Sequence, residues 1–172
     1  RLLAKHPRML NVLNVAAEKA GWSTKAPAGR FRGVAILEHV ASFNAQIAEV
    51  SVTKGRVRVH KVVCAFDAGM VINPHILTQQ IEGGIIHGLS AALKHAITIE
   101  RGRVQQGNYD TFDMIRMDEA PEVEVHLIPS TERPAGAGEA TNPNIIPAVV
   151  NAIYAATGKR IRSVPVRPAD LV

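Results

Sequence analysis

Apolar residues recur through Arg8–Ala20, RMLNVLNVAAEKA, at Met9, Leu10, Val12, Leu13, Ala16, Ala17 and Ala20. That three-to-four-residue interval predicts a helix over 8–20, with Gly21 as its stop. From Gly33 the period changes. GVAILEHVASF and AQIAEVSVT read as strands, Lys54-Gly55 as a turn, and RVRVHKVVCAFD as a strand that alternates at first and then turns wholly apolar. These segments predict an antiparallel hairpin or meander entering a core. The next helix spans 74–95, with Asn73 as N-cap and Pro74 in the first position. Ile81, Ile85, Leu89, Ala92, Leu93 and Ala96 form its apolar stripe, and Gln80, Gly84, His87 and Ala91 a second face.

AITIERGRV suggests a short hairpin and GNYDTFDMIRMDEAP a polar loop. EVEVHLIPS reads as a strand with Val123, Val125 and Leu127 on one face. A third helix spans 143–157, with Asn142 as N-cap, Pro143 first, Pro147 one turn in and Gly158 as its close. The tail RSVPVRPADLV reads as extended. The fold class is α+β: one domain over residues 1–172, an antiparallel sheet packed with about three helices.

Composition narrows the partners. The chain has 172 residues, 47% of them hydrophobic, enough for one real core. Its net charge of +5 is spread along the sequence and aromatics are only 4%, which argues against a nucleic-acid partner. The single cysteine, Cys64, excludes an internal disulfide and is expected in the core as a small apolar residue. No apolar run is long enough to span a membrane, and no signal-peptide pattern opens the chain. A first residue of Arg1 suggests a piece of something longer.

Two features call for chemistry. Glycine inside a helix costs about 0.5–1 kcal/mol relative to alanine. Gly83, Gly84 and Gly88 therefore need a reason: close packing against another backbone, or a bulky ligand passing near. The second feature is Glu139 in GAGEATNP, a lone carboxylate on a glycine loop ahead of a helix. It can be a turn residue favoured by the helix dipole, part of a degenerate dinucleotide loop, or a general base that close glycines let approach a reacting group. In the last case partial burial would raise its pKa. The dinucleotide reading is the poorest, because Thr141 stands where the third glycine would and a phosphate would repel Glu139.

Motif order adds to this. Asp67, Gly69, Asn73 and Pro74 are followed by Gln80, Glu82, Gly83, Gly84, Gly88 and Leu89, and later by Gly136, Gly138 and Glu139. Over roughly residues 29–165 the chain resembles the C-terminal part of the molybdopterin-binding subunit of the xanthine dehydrogenase/aldehyde oxidase family, the molybdenum hydroxylases. The wording is nearest to isoquinoline oxidoreductase-type beta subunits.

The resemblance implies a molybdenum-pterin cofactor in its cytosine dinucleotide form. It implies Glu139 as general base on a molybdenum-bound hydroxyl, and Gln80, Gly83, Gly84 and Gly138 as cofactor-binding residues. No protein residue is expected to ligate the metal. The substrate would be an N-heterocycle or an aldehyde, with oxygen drawn from water. The partners would be the remainder of the subunit and an iron–sulfur subunit, in a bacterial cytoplasm or periplasm. Departures are Ala140 and Thr141 in place of prolines, and His87 where a glutamine is common. The family's upstream glycine-rich cofactor loops are missing. The fragment alone is thus expected to bind no cofactor, to be inactive and to self-associate. The rival expectation is a non-catalytic nucleotide-binding or structural module of the same fold.

Overall fold

The computed structural model describes residues 2–171. Its elements run α1 (Pro7–Lys19), β1 (Phe31–His39), β2 (Ser42–Thr53), β3 (Arg56–Asp67), α2 (Pro74–Leu93), β4 (Ile99–Glu100), β5 (Arg103–Val104), β6 (Glu122–Leu127) and α3 (Asn142–Thr157). A short 3-10 turn, Pro168–Asp170, interrupts the tail that reads as extended.

The helices form where the apolar stripes place them. Asn73 caps α2 by accepting from the Ile76 amide at 3.1 Å, and Gly158 closes α3 at φ 72°. Helix α2 ends at Leu93, two residues early, because the amides of Lys94 and His95 both turn back to the Ser90 carbonyl at 2.8 Å. At the start of α3 the expected cap is corrected. Thr141 takes the N-cap position and Asn142 is already helical.

The sheet order is β1-β2-β3-β6. The first three strands form the expected antiparallel meander. Strand β6 departs from it and pairs parallel to β3, from Lys61↔Glu122 to Phe66↔Leu127. A parallel neighbour needs a long crossover, and α2 with its following loop supplies one. The first hairpin also turns earlier than its sequence suggests. Val40 and Ala41 take φ 50° and 60°, so β1 stops at His39. Lys54-Gly55 and Arg101-Gly102 make similar two-residue turns, each with a glycine to relieve the left-handed backbone. Val40-Ala41 has none.

Three layers result. Helix α1 covers one sheet face, where Val12 and Ala16 meet Ala45, Ile47 and Ala65. Helices α2 and α3 cover the other, with Ile81, Ile85, Leu89, Ile145 and Val149 against Ala48, Val62, Cys64 and Phe66. Cys64 is fully buried there, as expected, and burial pushes its thiol pKa up. Helix α3 lies close on β1 because Gly33 has no side chain. A Cβ there would sit 2.2 Å from the Ala152 nitrogen.

Helix α1 is tied to the end of β3 by Arg8, whose Nε and Nη2 reach both Asp67 oxygens at 2.8 and 2.7 Å. Burial raises the Asp67 pKa, but the Arg8 bonds and the Gly69 amide outweigh it, so the carboxyl lies below its ordinary 3.8. Asp67 thus binds a proton more weakly folded than unfolded. Its pairing contributes stability above the unfolded value and loses it as pH falls below 3.8 through the folded one. Thermal denaturation from neutrality down to that range should show an acid-side loss that Asp67→Asn removes. An unchanged acid limb in the variant would reject this role.

Candidate functional site

Asp67 also starts the local architecture of the site. One of its oxygens accepts from the Gly69 amide at 2.9 Å, turning the chain out of β3. Gly69 sits at φ +71°, and a Cβ on it would lie 2.1 Å from the Arg133 carbonyl oxygen. Only glycine fits. The turn then docks the segment before Glu139. The Met70 amide donates to the Glu132 carbonyl at 2.8 Å, and the Ala135 amide to the Ala68 carbonyl at 2.9 Å. The D-x-G pattern is thus the seat of the glycine loop, and N-P begins the helix beside it.

The loop lies between α2 and the sheet end. Gln80 Nε2 donates to the Gly138 carbonyl at 2.8 Å, joining two residues 58 apart in sequence. Glu139 follows at once and is exposed. Among the described residues its carboxylate meets no hydrogen-bond or ion-pair partner. It borders a depression of about 380 Å³ with His39, His87, Asn142 and Pro143. Gln80 and Gly138 border a second depression, of about 400 Å³, with Met70, Ile72, Asn73 and Leu77.

The three glycines of α2 divide. A Cβ on Gly84 would meet Thr141 Oγ1 at 2.3 Å, and one on Gly88 would meet the Asn142 carbonyl oxygen at 2.3 Å. Both are buried, and both let the start of α3 come down onto α2. Gly83 differs. It is exposed, and a Cβ there would find no atom within 4 Å. Gly138 is equally open. Packing therefore explains Gly84 and Gly88 and leaves Gly83 and Gly138 without a packing partner among the described residues.

His87 is exposed, one turn beyond Gly83. Its ring meets His95 edge-on at 5.6 Å, and His95 stacks on Phe112 at 4.5 Å. Burial first, then the neighbouring His87, lowers the His95 pKa against an opposing push from Asp113.

Sequence reasoning misses a group of buried polar side chains. On β2, Ser42, Asn44 and Gln46 are fully buried and point at the loop. Ser42 Oγ donates to the Gly136 carbonyl, Asn44 Nδ2 to Ala140 at 3.0 Å, and Gln46 Nε2 to Thr141 at 3.0 Å. The signal was present as a polar residue at every second position of SFNAQ, ahead of an apolar run.

A more enclosed cavity of about 480 Å³ lies far from this loop, between the β2–β3 turn, the end of α2 and the tail. On its rim Lys94 pairs with Glu119 at 2.6 Å and Asp113 at 3.4 Å, and Arg56 and Arg58 also line it. It offers apolar wall and no reactive group comparable to Glu139. Among the described residues no group of three or more His, Cys, Asp or Glu side chains is placed to hold a metal ion. No helix among them is long and apolar enough to cross a membrane.

Residues 12–121 match the molybdopterin cofactor-binding domain family. The chain is 36% identical over 168 residues to the isoquinoline 1-oxidoreductase subunit beta of Brevundimonas diminuta, covering 95% of this chain and 22% of that protein. It is 33% identical over 172 residues to a membrane-bound aldehyde dehydrogenase of Gluconacetobacter polyoxogenes, named for pyrroloquinoline quinone, covering 96% and 22%. The aldehyde oxidoreductase structure from Desulfovibrio desulfuricans superposes at a TM-score of 0.66 with 25% identity, over 76% of this chain and 15% of that one. The chain spans about a fifth of the length of these curated relatives.

Proposed function

From the premise that this chain belongs to the molybdopterin cofactor-binding domain family of the molybdenum oxidoreductases, we propose that it forms one wall of the reaction centre of a hydroxylase. That enzyme oxidises an N-heterocycle or an aldehyde with oxygen from water. The observation that carries this reading is the Gln80–Gly138 hydrogen bond at 2.8 Å, which holds an exposed carboxylate beside an amide and two open glycines.

The residues fit a pterin cofactor. Gly83 and Gly138 leave a face clear for a flat ring system. Gln80, one Nε2 hydrogen given to Gly138, keeps its second N–H and its Oε1 for a ring acceptor or donor. Gly84 contributes indirectly, by letting the loop settle. With no metal-ligating cluster among the described residues, the metal would come with its own pterin ligands. Held against Gln80, Gly83 and Gly138, the cofactor, in its cytosine dinucleotide form, would supply the oxidising centre. An iron–sulfur subunit carries the electrons away.

The chain's own residues manage the proton. A Glu139 carboxylate oxygen takes the proton of the attacking water-derived hydroxyl, and the glycines on either side keep the approach of a flat substrate open. Gln80 fixes the loop's height above α2. The names of the relatives fit both substrate classes, one naming isoquinoline and the other an aldehyde.

One wall does not bury a cofactor of this size. The 172 residues by themselves therefore retain no molybdenum and turn over no substrate. Met70, Ile72 and Ile76 stand 49, 80 and 61% exposed beside the site. The rest of the subunit covers such a patch in the intact protein, and self-association covers it in the isolated chain. Product formed by the full-length enzyme in water labelled with heavy oxygen should carry the label. Label arriving from dioxygen instead would reject the reading.

A further inference from the structure

We propose that the buried amides of β2 are positioning residues for Glu139: Asn44 and Gln46, braced by Asn144, strap the backbone on the C-terminal side of the carboxylate. The proposal rests on the reading of Glu139 as base. Its own ground is the hydrogen-bond pattern. Asn44 Nδ2 donates to the Ala140 carbonyl at 3.0 Å, and Gln46 Nε2 to the Thr141 carbonyl at 3.0 Å. Asn44 Oδ1 accepts from Gln46 Nε2 at 3.2 Å and from Asn144 Nδ2 at 2.6 Å. Asn144 Nδ2 also reaches the Ala35 carbonyl at 3.3 Å, linking the strap to β1.

The orientation of these amides is fixed by their partners. Turning Asn44 over would set its oxygen against the Ala140 carbonyl. Turning Gln46 over would set its oxygen against both the Thr141 carbonyl and Asn44 Oδ1.

On the other side of Glu139 the loop is held by Ser42 at the Gly136 carbonyl and by Gln80 at Gly138. The carbonyl of Glu139 itself accepts from the Asn142 amide at 3.1 Å. Gly136 also rests on the turn at Val40: its amide donates to the Val40 carbonyl at 3.2 Å, and a Cβ on it would lie 2.9 Å from Val40 Cγ1. A loop with glycines at 136 and 138 would wander if left alone. Here its carbonyls are held from three elements while the Glu139 carboxylate stays unpartnered among the described residues. That arrangement fixes where a base sits and leaves it available to react.

The polar set has a cost that structural economy does not explain. Among the described residues Gln46 Oε1 is buried with no hydrogen-bond partner. An apolar residue of the same length would fill the space without that penalty. Retaining an amide there is accounted for by what its nitrogen holds.

The test is Gln46→Met in the full-length enzyme with its iron–sulfur subunit. Methionine matches the length, removes the orphaned oxygen and drops both donated bonds, so folding and cofactor content should hold. Amide hydrogen exchange across residues 136–141 should speed up. The kcat should fall by about 10-fold or more at near-constant KM, since displacing a reacting group by about 1 Å can cost about 10²-fold. The fall should vanish in a Glu139→Gln background. Asn44→Ala should act in the same direction and more strongly. If Asn44→Ala fails to fold, Gln46→Met still decides.

Three outcomes overturn the strap. One is an unchanged kcat in Gln46→Met beside an inactive Glu139→Gln, which would sink the strap alone. Another is an equal fall with and without the Glu139 carboxylate. The third is unaltered loop exchange. A near-normal rate in Glu139→Gln, with loop exchange still raised in Gln46→Met, would instead sink the base and with it the strap's catalytic purpose.

Discussion

Glu139→Gln in the intact enzyme is expected to lower turnover by about 10²–10⁴-fold, the usual effect of losing a positioned general base. Molybdenum content should stay unchanged and thermal stability nearly so. Glutamine preserves the side chain's shape and cannot take the proton. The structure sharpens the contrast with a purely structural glutamate. Glu139 is exposed, and among the described residues its carboxylate supports no neighbour. Its worth to folding is then at most a dipole effect at the start of α3, on the order of 0.3–1 kcal/mol. Turnover and melting temperature measured on the same loaded preparation separate the two roles. A normal rate at full loading would leave the loop as a turn.

The second large effect belongs to the glycines of α2, where one substitution should act with opposite signs at two positions of the same helix. Gly88→Ala places a methyl 2.3 Å from the Asn142 carbonyl oxygen and 2.5 Å from Ile145 Cγ2. Helices α2 and α3 must separate, at a cost of about 1–3 kcal/mol or more. The loop resting on their junction is disturbed as well. Gly83→Ala meets nothing within 4 Å. It should stabilise the isolated chain by about 0.5–1 kcal/mol through helix propensity alone. In the intact enzyme the same methyl should weaken cofactor retention, because it occupies the cleared face. Chemical denaturation of both variants checks the signs. A destabilising Gly83→Ala would mean that its openness has another origin.

Much of this was legible in the residues. The apolar stripes of α1, α2 and α3 fixed their bounds within two positions, because each stripe meets one buried face; the least predictable end was the C-terminus of α2, which no glycine or proline marks. Glu139 and Gln80 stood out in the motif pattern, and the fold brings Gln80 onto the loop that carries Glu139. The parallel pairing of β6 was not legible, since period-two alternation is the same for either strand direction. The Val40-Ala41 turn was hidden because neither residue advertises a left-handed backbone. The N-cap of α3 falls one residue early, at Thr141, which has helical backbone angles and makes no side-chain cap hydrogen bond. Which glycine served packing and which served open space depended on partners 50 to 60 positions away in the sequence. The buried amides of β2 alternated in plain view, and their meaning depended on carbonyls roughly 95 residues on.

The relatives pose the sharpest alternative, because one that is 33% identical is named for pyrroloquinoline quinone rather than for a molybdenum pterin. Metal and cofactor analysis of the active full-length enzyme decides between them. The expected result is molybdenum equimolar with this chain, and a pterin that releases a cytidine nucleotide on hydrolysis. An active enzyme that holds a quinone cofactor and no molybdenum would contradict it.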